Sequence, residues 1–334
     1  MCRARIGSAL AVLAAFLLVT GLAAPAWPAG DNVQYWAREF PLTDFTRHAV
    51  PLSEIRSDGA TRNTIPAISR PKFVPVKRVN GIGDLEPMIT VSVQGQPRAY
   101  PLRMMLWHET VNDTILKQPI VVTFCPLCNS AVVYDRRMAG RTLTFGNTGR
   151  LRHFNGLIFD KETESWWQQF TGEAVIGNFM GRTLKALPSR VESLALFRDR
   201  HPDGLVMVPK DPGAHPYGTT PFVRMDSSPG DGLERYNLPW GVKPFQRLVV
   251  IGEEAWTVDR LAVQPIERKK LFVTVEPGQN SVHDTKWIQF GRNVGNAIAR
   301  VYDADSDEWT DTRHDIVFAF LFRAFHPKGR VHVR

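Results

Sequence analysis

Cysteine is scarce in this chain. Three occur among 334 residues, and one of them, Cys2, lies in an N-terminal stretch that reads as an export signal. Cys125 and Cys128 remain. The scarcity excludes a disulfide-dense scaffold. A complete zinc-finger pattern is excluded too, because there is no second Cys-x-x-Cys and no close histidine pair. The residue after Cys128 is Asn129 rather than histidine, so covalent haem attachment of the usual kind is ruled out. No Gly-rich phosphate loop and no Gly-x-Ser-x-Gly nucleophile elbow is present. Beyond the first 24 residues no apolar run is long enough to cross a bilayer. The formal charge is +8, yet the longest basic run is Arg268-Lys269-Lys270 and no aromatics are interleaved with it. A solvated surface is expected rather than a nucleic-acid partner.

What is present begins with the address. Arg3 and Arg5 supply a positive start, Ile6 to Ala24 is uncharged and apolar, and Ala24-Pro25-Ala26 offers small residues at a signal-peptidase site. A cleaved signal peptide over residues 1–26 and a periplasmic or secreted protein are expected. The alternative is an uncleaved N-terminal anchor, and no other membrane contact is expected. Cleavage removes Arg3 and Arg5 and lowers the charge from +8 to +6. In an oxidising compartment a thiol pair is normally a disulfide unless something keeps it reduced or metallated.

The chain organises as an extended N-terminal wrap over 27–87, a first repeat over 88–208, a Pro/Gly-rich linker over 209–245, and a second repeat over 246–334. No helical period is sustained in the wrap. Strand-like runs bounded by turn residues follow at 89–93, 120–124, 131–134, 142–145 and 157–159, with short helices expected at 102–111 and 191–200. The repeat rests on Leu196–Val208 and Leu321–Val333, identical at eight of thirteen positions. Further pairs lie in the same order. Ala99-Tyr100 answers Ala255-Trp256, Phe145-Gly146 answers Phe290-Gly291, and Phe159-Asp160 with Trp167 answers Tyr302-Asp303 with Trp309. Val122–Ser130 aligns with Val273–Ser281, keeping Val, Thr, Pro, Asn and Ser but replacing both cysteines. The turn can therefore be built without thiols, which points to chemistry in the first copy and a degenerate second copy serving as scaffold or partner surface.

Several motifs coincide with a known family. Ala99-Tyr100-Pro101-Leu102, Trp107-His108-Glu109-Thr110-Val111-Asn112-Asp113, Thr123-Phe124-Cys125-Pro126-Leu127-Cys128-Asn129-Ser130 and Tyr134-Asp135-Arg136 are among them. Phe145-Gly146, Asp160-Lys161-Glu162-Thr163, Ser165, Trp167, Gln169 and His201-Pro202 complete the set. Over roughly residues 65–210 the chain resembles the bacterial domain of unknown function 3179. The resemblance implies identity more readily than mechanism, and its cysteine motif is compatible with redox chemistry. Arg152-His153-Phe154 departs from the family pattern, which is small and polar there.

A Cys-x-x-Cys pair can close reversibly, the first thiol attacking and the second resolving. Cys125 is expected to be the more accessible thiol and Cys128 the resolving one. Ala131-Val132-Val133-Tyr134 reads as a strand, so no helix follows the motif and a thioredoxin fold is not expected. His108 and Glu109, on a short helix with Asn112 and Asp113 at neighbouring helical positions, can tune a thiol, or can instead satisfy buried backbone groups. The metal alternative takes Cys125, Cys128 and His108 as ligands for copper or zinc, with His153, Met104 or Met105 as further donors. No cofactor is required by any motif. Asn112, Asp113, Asn129, Ser130, Asp135, Arg136, Trp167 and Gln169 are the ligand-binding or pocket candidates, Trp166-Trp167 being equally readable as core. Asp160, Glu162 and Glu164 alternate along an expected strand. His201-Pro202 and His326-Pro327 read as helix ends.

The sequence thus predicts an α+β, strand-dominated protein of two related halves from an internal duplication. The expected function is thiol–disulfide redox activity with an unidentified redox partner or small-molecule ligand. A non-catalytic copper or zinc protein and a binding module with a structural disulfide stand as the alternatives.

Overall fold

The computed structural model describes residues 29–57, 59–268 and 270–333. The expected signal segment, residues 1–26, lies outside them. The first element corrects the sequence reading. Where an extended wrap was expected, Ala29–Glu39 forms a helix, α1. Val33, Trp36 and Phe40 recur at three- and four-residue steps and pack beneath Phe45 and Trp166. That stripe is narrow and set in polar sequence, so it carries too little periodicity to stand out, and tertiary burial stabilises it. The remainder of the segment is extended, with short strands β1 (Ile55–Ser57), β2 (Ile68–Ser69) and β3 (Lys72–Pro75).

The first half opens with a hairpin of β4 (Pro87–Val93) and β5 (Gln96–Pro101). α2 (Leu102–His108) leads into a meander of β6 (Thr110–Ile115), β7 (Gln118–Cys125) and β8 (Ser130–Asp135). A two-residue ribbon of β9 (Arg137–Met138) and β10 (Arg141–Thr142) follows. The expected strand over 142–145 is interrupted, since β11 (Phe145–Arg152) begins a new sheet with β12 (Asn155–Asp160), β13 (Trp166–Gln168) and β14 (Ala174–Ile176). β15 (Ser189–Ser193) returns to pair with β4. α3 (Leu194–Arg200) then leads to β16 (Leu205–Val208), which runs parallel to β5 with β3 on its far edge.

Residues 209–245 hold two single 3-10 turns and one isolated bridge, Thr219 to Trp287, in otherwise irregular chain, as their Pro and Gly content implies. Beyond them come β17 (Arg247–Ile251), β18 (Glu254–Thr257), α4 (Val258–Val263), β19 (Ile266–Arg268) and β20 (Leu271–Glu276). β21 (Asn296–Asp303), β22 (Glu308–Asp311), β23 (Asp315–Phe318), α5 (Ala319–Phe325) and β24 (Arg330–His332) complete the chain. Five sheets of four or five strands stand in a propeller-like arrangement, and strand at 40% outweighs helix at 17%, so the molecule is strand-dominated.

Two of these sheets share an order. The sequence β15-β4-β5-β16 is matched by β23-β17-β18-β24, with the last pair parallel in both. Tyr100 faces Ile89 where Trp256 faces Val249, and Val206 lies beside Ala99 where Val331 lies beside Ala255. His201 and His326 each cap the helix before the closing strand, as their shared motif suggested. The two halves are not separately cored. Val121, Cys125, Cys128 and Val132 of the first belong to one apolar cluster with Leu248, Val317, Phe318 and Phe322 of the second. Apolar burial of this kind contributes about 25 cal/mol per Å² removed from water, so the thiol turn shares its stabilisation with the second half.

Candidate functional site

β7 delivers its last residue, Cys125, to a single 3-10 turn over Pro126–Cys128, and the chain reverses into β8 with Cys125 opposite Ser130. Pro126 is pre-set for the first turn position, and Asn129 closes the turn at φ 51°, a left-handed conformation that asparagine tolerates well. The two sulfurs, both unbonded, stand 2.8 Å apart. Cys125 is 3% exposed and Cys128 0%, so both thiols are buried.

The cover is the tip of the β11–β12 hairpin. His153 and Phe154 occupy its two central positions with φ of 52° and 62°. This is the twist that suits a two-residue hairpin, but Asn-Gly normally supplies it, and side chains without local hydrogen bonding adopt it at a cost. The conformation aims the Phe154 carbonyl oxygen at the thiols, 3.1 Å from Cys128 Sγ and 3.6 Å from Cys125 Sγ. Phe154 itself packs near Phe320 and under the Arg235 guanidinium. The departure from the family pattern at Arg152-His153-Phe154 therefore falls on the lid of the cysteine pair.

A buried amide relay reaches the same sulfurs. Asn155 Nδ2 lies 3.6 Å from Cys128 Sγ and donates to Gln169 Oε1 at 2.8 Å. Gln169 Nε2 in turn donates to Thr123 Oγ1 at 2.9 Å and to the Ser130 carbonyl at 3.2 Å. Burial pushes both thiols upward. For Cys125 that push is outweighed by hydrogen bonds from the Cys128 thiol, from the Gly156 and Cys128 backbone and from Asn155, so it ionises below its ordinary value. For Cys128 burial is reinforced by the bond to Cys125 and its charge and by the Glu109 carboxylate, and it is raised well above. The two thiols are thereby set apart: Cys125 gives up its proton before Cys128 does.

From the second half, His283 Nε2 donates to the Pro126 carbonyl at 2.7 Å while Nδ1 accepts from Arg247 at 3.3 Å. Arg247 is paired with the buried Asp226 at 3.0 Å. Neither Asn155 nor His283 was marked as a site in the sequence. Asn155 has a faint signal beside the atypical Phe154, but His283 follows the aligned stretch and nothing there distinguishes it.

The other sequence candidates divide. Gln169, Asn129 and Ser130 are at the thiol turn, the Asn129 amide donating to Ile316 of β23 at 3.3 Å. Glu109 acts on Cys128 by its charge, but it is not helical: the helix ends at His108, Glu109 adopts φ 56°, and Asn112 and Asp113 lie on β6. His108 is occupied elsewhere. Its Nδ1–H donates to the Pro66 carbonyl at 2.7 Å, leaving Nε2 to accept from Tyr217 Oη at 2.8 Å. Both nitrogens are thus hydrogen-bonded, and among the described residues no group of three His, Cys, Asp or Glu is placed together.

Asn112 clamps the Phe145 backbone, Asp113 accepts from Tyr100 and Arg98, and Asp135 pairs with Arg137. Arg136 donates to the carbonyls of Ile120, Leu143 and Asp113, and the fully buried Trp167 donates to Asp160. These five make hydrogen bonds or ion pairs within the fold. Asp160 ends β12, and Glu162 and Glu164 fall in the turn that follows, so the three carboxylates do not share a strand face.

The family model described as Protein of unknown function (DUF3179) matches residues 62–329. The chain belongs to this family. The match extends through the second half, beyond the 65–210 over which the resemblance was legible, so the thiol turn and the His283 side of it are parts of one DUF3179 unit. No curated protein and no solved structure matches the chain.

Proposed function

We propose that this DUF3179 protein is a thiol–disulfide redox protein of an extracytoplasmic compartment, exported by the segment over residues 1–26. The observation that carries the reading is the Cys125–Cys128 pair itself: two unbonded sulfurs 2.8 Å apart, one thiol lowered and the other raised. That asymmetry is what a two-step exchange needs. The Cys125 thiolate attacks one sulfur of a partner disulfide, the partner's S–S bond breaks, and its first thiolate leaves. Cys128 then gives up its proton and attacks Cys125 Sγ, which closes the internal disulfide and releases the partner's second thiolate. Two electrons pass from the cysteine pair to the partner, and the reverse sequence oxidises a partner dithiol. Because Phe154 covers the sulfurs, exchange with a folded partner requires the β11–β12 tip to withdraw.

We further propose that the halves descend from a duplication and that the second has lost its thiols. The common strand order and register of the two sheets support this reading. So does the placement of Gly204 and Gly329, each against the ring of the matching Phe197 or Phe322.

The deciding measurement is the reduction potential of the pair. A value between roughly −120 and −270 mV, the range of dithiol catalysts, is expected. A value below about −300 mV would make the cysteines an inert staple and overturn the proposal.

A further inference from the structure

One opening among the described residues does not touch the thiols. A cleft of about 770 Å³ lies in the second half, a size that suits a small organic ligand. Part of its wall is apolar, from Phe245, Val258, Val275, Pro277 and Val294. The rest is charged and unequal in what it offers. Asp226, whose side chain is 0% exposed, has one oxygen spent on Arg247 at 3.0 Å, on Arg292 at 3.1 Å and on Ser281 at 2.7 Å. Asp259 accepts from the Gln246 amide at 3.0 Å. Arg292, by contrast, is half exposed, and Lys243 is exposed and has no ion-pair partner among the described residues. Asp226 is walled in and Asp259 is exposed, Arg292 keeps its pair with Asp226, and Lys243 is the cation of this lining that has no ion-pair partner among the described residues.

The position of the cleft has a parallel. Val275 and Pro277 align with Phe124 and Pro126, so the opening lies on the turn that answers the cysteine turn of the first half, where Glu276-Pro277-Gly278-Gln279 stands for Cys-Pro-Leu-Cys. Gly295 keeps this wall close: it adopts φ 75°, and a Cβ there would meet Val275 at 2.4 Å. A smaller void shares Arg247, Val275 and Gly295 with the cleft and extends to Asn129, beside the thiol turn.

We infer that the cleft binds an amphipathic organic anion, a carboxylate or phosphate monoester held by Lys243 and Arg292 with its apolar body against Val258, Val275 and Pro277. The second half is then a binding unit as well as a wall for the first. The inference does not depend on the redox reading, since no cysteine takes part.

The test is calorimetric titration of the full-length mature chain with octanoate and with octyl phosphate below its micellar concentration, against octanol and octylamine as probes of equal chain length. Saturable binding of one or both anions is expected, with octanol and octylamine at least about tenfold weaker. Lys243→Gln, which breaks no ion pair, should weaken the anion about threefold or more, and Lys243→Gln/Arg292→Gln about tenfold or more. Absence of saturable binding by both anions overturns the inference. Octanol binding as tightly as octanoate, or affinity unchanged in Lys243→Gln, overturns it equally, by making the cleft a plain apolar groove.

Discussion

The carbonyl oxygen of Pro126 accepts a hydrogen bond from His283 Nε2 at 2.7 Å, so a histidine of the second half fixes the turn that presents the first half's thiols. Arg247 donates to the other ring nitrogen, which leaves the imidazole one neutral tautomer with both nitrogens used.

Burial, with the Arg247 charge beside it, lowers the His283 pKa from 6.5 to about 3. Unfolded chains take up that proton near 6.5, so between these values the unfolded state binds more protons. Stability is therefore full above pH 6.5 and falls as the pH drops toward 3. His314, lowered by burial to about 4, adds to the same slope. Urea unfolding at about pH 7, 5 and 4 should show the loss, and His283→Gln should reduce its steepness. A level unfolding free energy in the wild type across that range rules the coupling out.

The two thiols should not titrate alike. With Cys125 lowered and Cys128 raised, iodoacetamide at about pH 7 on reduced protein should label Cys125 in preference to Cys128, as read by peptide mass spectrometry. Equal labelling of the two, or preference for Cys128, contradicts the assignment of attacking and resolving roles.

Gln169→Leu removes the centre of the amide relay and leaves Thr123, Asn155 and the Ser130 carbonyl without that partner in a buried site. A destabilisation of about 1–3 kcal/mol is expected, together with a changed potential of the cysteine pair, because Asn155 loses the acceptor of the amide it turns toward Cys128. A variant with wild-type stability and potential would show the relay to be unimportant.

The lid carries its own test. His153→Asn/Phe154→Gly supplies the residues that a hairpin with two left-handed positions prefers and removes the ring that packs with Phe320 and Arg235 and holds the tip down. Thiol reaction with an aromatic disulfide reagent should accelerate by about tenfold or more, since the opened fraction rises when cover is lost. An unchanged rate would mean that reagents reach the pair by another route.

Gly204→Ala and Gly329→Ala should each destabilise by about 1–3 kcal/mol, because the new Cβ would lie 2.6 Å from Phe197 and 2.5 Å from Phe322 in backbone-constrained turns. Thermal unfolding of the two variants checks whether the paired motifs are packed alike. A silent substitution at either site would remove that support for common descent.

Legibility followed the length scale of the cause. β7, β8, α3 and both His-Pro helix ends depend on local pattern and could be read directly. The helix at Ala29–Glu39 could not, because Trp36 and Phe40 become a stripe only against Trp166, far along the chain. At the site, Cys125, Cys128, Asn129, Ser130 and Gln169 were legible as candidates. The error over Asn112 and Asp113 came from extending the helix past His108, whereas Glu109 at φ 56° turns the chain into a strand. His283 and Asn155 act through positions created by packing, and packing leaves no spacing in the sequence to read.

One pairing bears on how the molecule comes together in time. Leu205 of β16 lies beside Arg98 of β5, so the sheet closes only after the whole intervening chain, thiol turn included, has been laid down. Arg330 beside Glu254 repeats the delay in the second half. Pairings between residues so far apart in sequence are slow to form because loop-closure entropy must be met first. Until residues 318–322 follow, Cys125 and Cys128 lack the Phe318–Phe322 wall of their cluster. Thiols that the finished molecule buries are thus open to solution while the second half is still missing.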